Sequence, residues 1–80
     1  MKVGQIVTVN KSGLARFAPG IRRRLMGEIG LVVQENYDLA YRVIDGVKVQ
    51  PAVARFESLH GLSIYEDGVM LYPDQVEVLS

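Results

Sequence analysis

Apolar residues recur at every second position in several short segments of the chain, which is the spacing of half-buried β-strands. Val7 and Val9 stand on either side of a threonine near the start, and Val47 and Val49 stand on either side of a lysine in the middle. Turn residues separate these segments from one another. Segments with a strand-like pattern occupy residues 4–10, 30–34, 40–44, 47–50, 52–57, 63–65, 69–72 and 76–79.

Short motifs predict the turns between neighbouring strands. The Asp45–Gly46 dipeptide is a strong hairpin signal, because both residues tolerate the positive φ angles of a type I′ turn. Residues 66–68 (EDG) predict a second hairpin, with residues 63–65 as its first strand. Residues 73–75 (PDQ) predict a tight turn of 3₁₀ type.

One long connection separates the first two strands. Residues 10–13 (NKSG) break the first strand, and the chain then runs without strand-like alternation to Met26. Arginine, leucine and methionine favour helix, and Pro19 suits a helix start. A short helical turn is therefore predicted over residues 21–26.

These elements predict an all-β fold of five to seven short antiparallel strands, with a long first loop and no long helix. A barrel is favoured over a sandwich at this length, because closure of the sheet removes exposed strand edges. Eighty residues make one small domain, over residues 1–80.

The composition excludes several kinds of functional site. The chain has no cysteine, which excludes disulfides, thiolate catalysis and cysteine-ligated zinc or iron–sulfur sites. No apolar run approaches the ~20 residues of a membrane helix, and the N-terminal MKVGQ lacks the apolar region of a signal peptide. We therefore expect a cytoplasmic protein with no membrane partner.

Charge is unevenly distributed although the net charge is zero. The first third is basic and holds no acidic residue before Glu28. The last third, from Glu57 onwards, holds five acidic residues and no lysine or arginine. Either the two thirds neutralise each other within the fold, or one face of the domain is basic.

Three segments together resemble the small SH3-like barrels: KVGQIVTV (residues 2–9), GEIGLVV (27–33) and YPDQVEVL (72–79). Among these barrels the chain is similar to KOW-type domains, and to the group of photosystem I subunit IV (PsaE) and the variable chain of ferredoxin–thioredoxin reductase. The resemblance implies that the long first loop corresponds to the RT loop and that the last strand pairs with the first. It also implies a binding or scaffold module and not a catalyst.

Two segments compete for the central strand of such a barrel. A KOW-like alignment selects AYRVIDG (residues 40–46). A PsaE-like alignment selects PAVARFE (residues 51–57), which has an aromatic beside an arginine and then an acid. The segment that is not selected becomes an insertion of about ten residues.

The basic first loop is the strongest candidate for a binding site. Arg22, Arg23 and Arg24 stand side by side, with Arg16 and Lys11 earlier in the same loop. Arginine binds carboxylates and phosphates through two parallel hydrogen bonds. The loop is therefore predicted to meet an acidic protein, a nucleic acid, or the acidic third of its own chain.

Phe17 lies in the same loop and has two candidate roles. Its ring suits a partner anchor or a base-stacking platform. It suits equally a side chain that folds the loop onto the barrel, which is the favoured interpretation. The predicted partner-binding set is Lys11, Arg16, Phe17, Arg22, Arg23 and Arg24.

Other polar residues lack the spacing of a catalytic, metal or phosphate site. Gly27 and Gly30 match neither glycine-rich phosphate motif, and are expected to serve strand entry. His60 has no marked nucleophile and orienting acid beside it, and the acids at residues 66–67 do not match a calcium loop. We therefore expect no enzymatic activity, no metal and no cofactor.

Apolar residues also occupy outward positions of the predicted strands, at Ile6, Leu31, Val33 and Val53. If they are exposed together, they form a patch that a second copy or another protein covers. Three functions follow. The first is a non-catalytic module that docks an acidic protein through the basic loop. The others are a KOW-like nucleic-acid-binding accessory protein and a self-associating structural subunit.

Overall fold

Seven short strands and two short helices form the regular structure of residues 1–38 and 41–80, the part of the chain that this computed structural model describes. The strands are β1 (Ile6–Val9), β2 (Gly30–Gln34), β3 (Arg42–Ile44), β4 (Val47–Val49), β5 (Ala52–Phe56), β6 (Val69–Leu71) and β7 (Val76–Val78). The helices are α1 (Lys11–Leu14) and α2 (Pro19–Leu25), and 3₁₀ turns cover Glu57–Leu59, Ser63–Tyr65 and Pro73–Gln75. Within the described residues, no helix has the length and apolar content needed to cross a bilayer.

Five strands form one curled antiparallel sheet in the order β6–β5–β2–β1–β7. The last strand returns to pair with the first, with Val7 opposite Val78 and Val9 opposite Val76. The predicted 3₁₀ turn at Pro73–Gln75 leads directly into this last strand. The predicted all-β class is thus confirmed, and the architecture is consistent with a small SH3-like barrel that has a long first loop.

One face of the sheet and the first loop enclose the core. Val7 and Val9 of β1 and Val32 of β2 share this face, because alternate residues of a strand point to the same side. Phe17 and Leu25 come from the first loop and are buried among them. Each large apolar side chain buried in this way contributes roughly 1.5–3 kcal/mol, so core packing holds the loop in place.

Two glycines open β2 for different physical reasons. Gly27 has φ +75°, a backbone conformation that favours glycine. Gly30 faces the core, where a Cβ would lie 2.5 Å from Cε1 and Cζ of Phe56. The positive φ expected at the strand entry is thus found at Gly27 alone, whereas Gly30 is needed because the ring of Phe56 lies against it.

The hairpin predicted at Asp45–Gly46 joins β3 and β4. Both residues have positive φ, at 51° and 79°, as a type I′ turn requires. This hairpin lies outside the five-stranded sheet, whereas β5 lies within it between β2 and β6. The PAVARFE segment therefore supplies the sheet strand, and AYRVIDG forms part of the added hairpin. Its first residue, Ala40, lies outside the described residues.

The hairpin predicted around residues 66–68 is wrong. Its expected first strand is instead the 3₁₀ turn Ser63–Tyr65. The amide of Tyr65 donates to the carbonyl of Leu62, and the amide of Gly68 donates to the carbonyl of Tyr65. The strand β6 pairs instead with β5, with Ala54 opposite Val69.

The first loop contains more helix than the sequence predicts. The helical turn expected at residues 21–26 is α2, which begins two residues earlier with Pro19 at its first position. The predicted break of the first strand at residues 10–13 is confirmed, since β1 ends at Val9. The same residues begin α1, because the side chain of Asn10 accepts a hydrogen bond from the Gly13 amide and caps the helix.

Candidate functional site

Arg22 stabilises the first loop through hydrogen bonds within the loop. This side chain lies half-buried between the two helices. Its Nε donates to the carbonyl of Leu14 at 3.1 Å and its Nη2 to the carbonyl of Phe17 at 3.0 Å. Leu14 is the last residue of α1 and Phe17 lies between the two helices, so Arg22 binds carbonyls where the chain leaves helical structure. Arg22 is therefore a structural residue of the loop.

Arg16 fixes the loop to the barrel. Its Nη1 donates to the carbonyl of Met70 at 2.6 Å and to Oε1 of Gln75 at 3.1 Å. Its guanidinium carbon also lies 5.0 Å from the centroid of the Phe17 ring, a cation–π distance. These contacts connect the loop to β6 and to the turn before β7, so the guanidinium of Arg16 is engaged within the fold.

Phe17 is a core residue. Its side chain is 6% exposed, and its ring meets that of Tyr65 edge-on with the centroids 6.3 Å apart. The interpretation that Phe17 folds the loop onto the barrel is confirmed. Its inclusion among the partner-binding residues is corrected, because a partner cannot reach a ring buried to this extent.

Arg23 and Arg24 are the two exposed arginines of α2, and we call them the α2 arginine pair. Within residues 1–38 and 41–80, the ion pair that forms joins Arg42 to Asp74, and none involves the α2 arginine pair. The acidic last third therefore does not neutralise these arginines through ion pairs. Their position in the last turn of α2 is favourable in itself, because cations there complement the helix dipole.

Lys11 is exposed but belongs to another part of the surface. It begins α1, which packs against the turn Pro73–Gln75, whereas α2 packs against the turn Glu57–Leu59. The structure thus divides the predicted set in three. Arg16, Phe17 and Arg22 build the loop, Lys11 stands apart on α1, and the α2 arginine pair remains as a candidate docking surface.

Replacing Arg22 by lysine should lower the free energy of unfolding by about 2 kcal/mol. One ammonium group cannot reproduce the two fixed donors of a guanidinium, and hydrogen bonds from charged groups contribute about 1.5–3 kcal/mol. Arg23→Lys is the matched control and should stay within about 0.5 kcal/mol of the parent. Urea unfolding followed by circular dichroism measures both; equal stability of the two variants would contradict the structural role of Arg22.

A groove on the outer face of the sheet is a second candidate, and we call it the outer groove. Its volume is about 300 Å³. Three of the four apolar positions predicted to face outward line it, and Val53 does not, because it is buried with Gly68 against its side chain. The groove is lined by Ile6, Ile29, Gly30, Leu31, Val33, Arg55, Phe56, Glu57, His60, Tyr65 and Glu66.

The charged residues of the outer groove are not among the site residues predicted from the sequence. Alternation along PAVARFE places Arg55 and Glu57 on the face opposite Ala54 and Phe56. The strand pattern alone was therefore sufficient to assign these two residues to the outer face. Glu66 reaches the groove through the 3₁₀ turn that was predicted as a strand. Among the described residues, no group of three His, Cys, Asp or Glu side chains is placed to hold a metal ion.

No protein family, curated protein or solved structure that was compared with the chain matches it. The resemblance to KOW-type domains and to the PsaE group therefore remains an expectation from the sequence. A functional assignment rests on the geometry of the α2 arginine pair and of the outer groove.

Proposed function

We propose that this chain is a non-catalytic binding module that docks an acidic protein through Arg23 and Arg24. One observation carries the proposal: two adjacent exposed guanidinium groups stand on a short helix, and no carboxylate of the described residues pairs with them. Each group offers a planar fork of donors that fits a carboxylate.

The rigidity of the loop supports this function. Leu25 at the end of α2 is fully buried, and Arg22 joins the two ends of the connection between the helices. The backbone that carries Arg23 and Arg24 is thereby held before a partner arrives. Preorganisation of this kind lowers the entropy lost on binding, so that a small charged surface yields useful affinity.

The overall charge favours a protein over a nucleic acid. The net charge is zero, whereas nucleic-acid-binding domains carry a strongly basic face. Two phosphate contacts would give a salt slope of only about −1.8, on the ~0.9 per contact rule. An acidic protein with a local group of carboxylates matches two adjacent guanidiniums better than an extended polyanion does, and such charges also steer the encounter.

A charge-matched pair of variants tests the proposal. Arg23→Glu/Arg24→Glu reverses the docking surface, and Lys2→Glu/Lys48→Glu reverses two exposed lysines elsewhere with the same change in net charge. The tagged proteins are used to capture partners from extract of the source cells, and the captured protein is then purified and titrated. We expect the arginine variant to bind at least about tenfold more weakly, or ~1.4 kcal/mol, and the lysine variant to bind like the parent.

The outcomes separate the alternatives. Equal loss of binding in both variants would show a general effect of charge and would contradict a specific docking surface. A single-stranded oligonucleotide titrated in low salt forms the second arm. Tight oligonucleotide binding that is lost in the arginine variant, without a protein partner, would replace the proposal with the KOW-like nucleic-acid function.

A further inference from the structure

An apolar row crosses the outer face of the sheet. Ile6 of β1 lies opposite Leu31 of β2, and Leu31 lies opposite Arg55 of β5. On the other side of Ile6, the amide of Leu79 donates to the Ile6 carbonyl at 2.7 Å, which extends the row past β7. Leu31 is 44% exposed, Leu79 51%, and the neighbouring Ile29 59%. The row is therefore a continuous apolar surface in contact with water.

Charges of both signs border this row. Arg55 lies at one end of it, and Glu57 and Glu66 line the same groove. Among the described residues, none of these three side chains takes part in an ion pair. The outer groove thus combines an apolar centre, one unpaired cation and two unpaired anions.

From this combination we propose that the outer groove is the interface of a homodimer, in which a second copy of the chain packs on it about a two-fold axis. An isologous interface must be complementary to itself. A patch with a single sign of charge would repel its own copy. The outer groove instead lets Arg55 of each protomer meet Glu57 and Glu66 of its partner, while the apolar rows pack together.

Such an interface needs only a modest share of the chain's surface. A stable interface buries about 800 Å² on each partner, and the whole chain exposes 5147 Å². The dimer therefore requires about a sixth of the surface. An apolar centre with a charged rim is also the usual composition of such interfaces. The outer groove is separate from the docking surface on α2, because neither Arg23 nor Arg24 lines it.

Two charge-reversal variants test the dimer. Arg55→Glu makes the three groove charges negative, and Glu57→Arg/Glu66→Arg makes them positive. Each variant alone should repel its own copy, and should dissociate at least tenfold more readily than the parent. An equimolar mixture of the two should form a heterodimer, because the negative groove then meets the positive one. Lys48→Glu, on the β3–β4 hairpin, is the control and should remain dimeric.

Sedimentation equilibrium over a wide range of concentration supplies the masses, with circular dichroism as the check that each variant is folded. We expect the parent at twice the 8.9 kDa of one chain, each variant near the mass of one chain, and the mixture again at twice that mass. A parent that stays monomeric at the highest concentration would overturn the proposal. Variants that dimerise alone as tightly as the parent, or a mixture that stays monomeric, would overturn it too. Leu31→Glu gives a further arm, in which retained dimerisation of a folded variant would also contradict the interface.

Discussion

Replacing Phe17 by alanine is expected to reduce the free energy of unfolding by about 3–5 kcal/mol. The ring is 6% exposed, and it contacts the ring of Tyr65 and the guanidinium of Arg16. Its removal leaves a cavity beneath the first loop and releases one contact of Arg16. For an 80-residue domain this loss corresponds to a fall of roughly 12–40 °C in Tm.

Thermal and urea unfolding of Phe17→Ala and of Met26→Ala check this expectation. Met26 follows α2, is 61% exposed and should tolerate alanine within about 0.5 kcal/mol. Below its Tm, the folded Phe17→Ala protein should still bind the partner of the α2 arginine pair. A variant with parental stability and lost binding would return Phe17 to the docking surface and would contradict its assignment to the core.

Replacing Gly30 by alanine is expected to destabilise the barrel, although alanine is the better residue in most strands. Relief of glycine's chain entropy favours the variant by about 0.5–1 kcal/mol. Against this, the new Cβ would lie 2.5 Å from two ring carbons of Phe56, whose side chain is 5% exposed and packs in the core. Such overpacking costs typically 1–3 kcal/mol, so the steric term exceeds the entropic one.

Gly20→Ala is the matched control for Gly30→Ala. Gly20 lies in α2, and a Cβ there has no other atom within 4 Å. The same substitution should therefore stabilise the protein by about 0.5–1 kcal/mol through helix propensity. In the double variant Gly30→Ala/Phe56→Leu, the smaller leucine side chain relieves the clash. Its loss of stability should therefore be smaller than the sum of the losses in the two single variants. Strictly additive losses would show that the two residues do not clash.

The strands were predictable because the sheet has one buried face. Val7 and Val9, and likewise Ala54 and Phe56, alternate with residues of the outer face, and such alternation is visible in the sequence alone. The type I′ turn at Asp45–Gly46 was predictable for a local reason as well, since few residue pairs accept two positive φ angles. Where local chemistry and burial agree, a sequence specifies its elements.

The first loop was less predictable because its roles depend on contacts distant in sequence. Arg16 donates to Met70 and Gln75, which lie more than fifty residues further along the chain. The five basic residues of the loop therefore look alike in the sequence, and only the structure shows which of them are held by contacts within the fold. The 3₁₀ turn Ser63–Tyr65 was missed for a related reason, since three residues carry too little periodicity to distinguish a turn from a strand.

The outer groove was predictable in part. Alternation places Ile6, Leu31 and Val33 outward, which is what the structure shows. The burial of Val53 depends on the path of the chain at Gly68, and that path could not be deduced from the strand pattern. Opposite charges around one apolar row are visible only when the pairing of β1, β2 and β5 is known.

A photo-crosslinking side chain on α2 shows whether Arg23 and Arg24 form a docking surface. Gly20 lies one helical turn before Arg24, is exposed, and leaves both arginines intact when it is replaced by p-benzoylphenylalanine. The same residue placed at Val43, on the exposed β3–β4 hairpin, is the control. Irradiation of living cells should give a discrete adduct with another protein from position 20, and none from position 43. The adduct should disappear when Arg23→Glu/Arg24→Glu is added; an adduct that persists without the arginines, or no adduct from position 20, would contradict this docking surface.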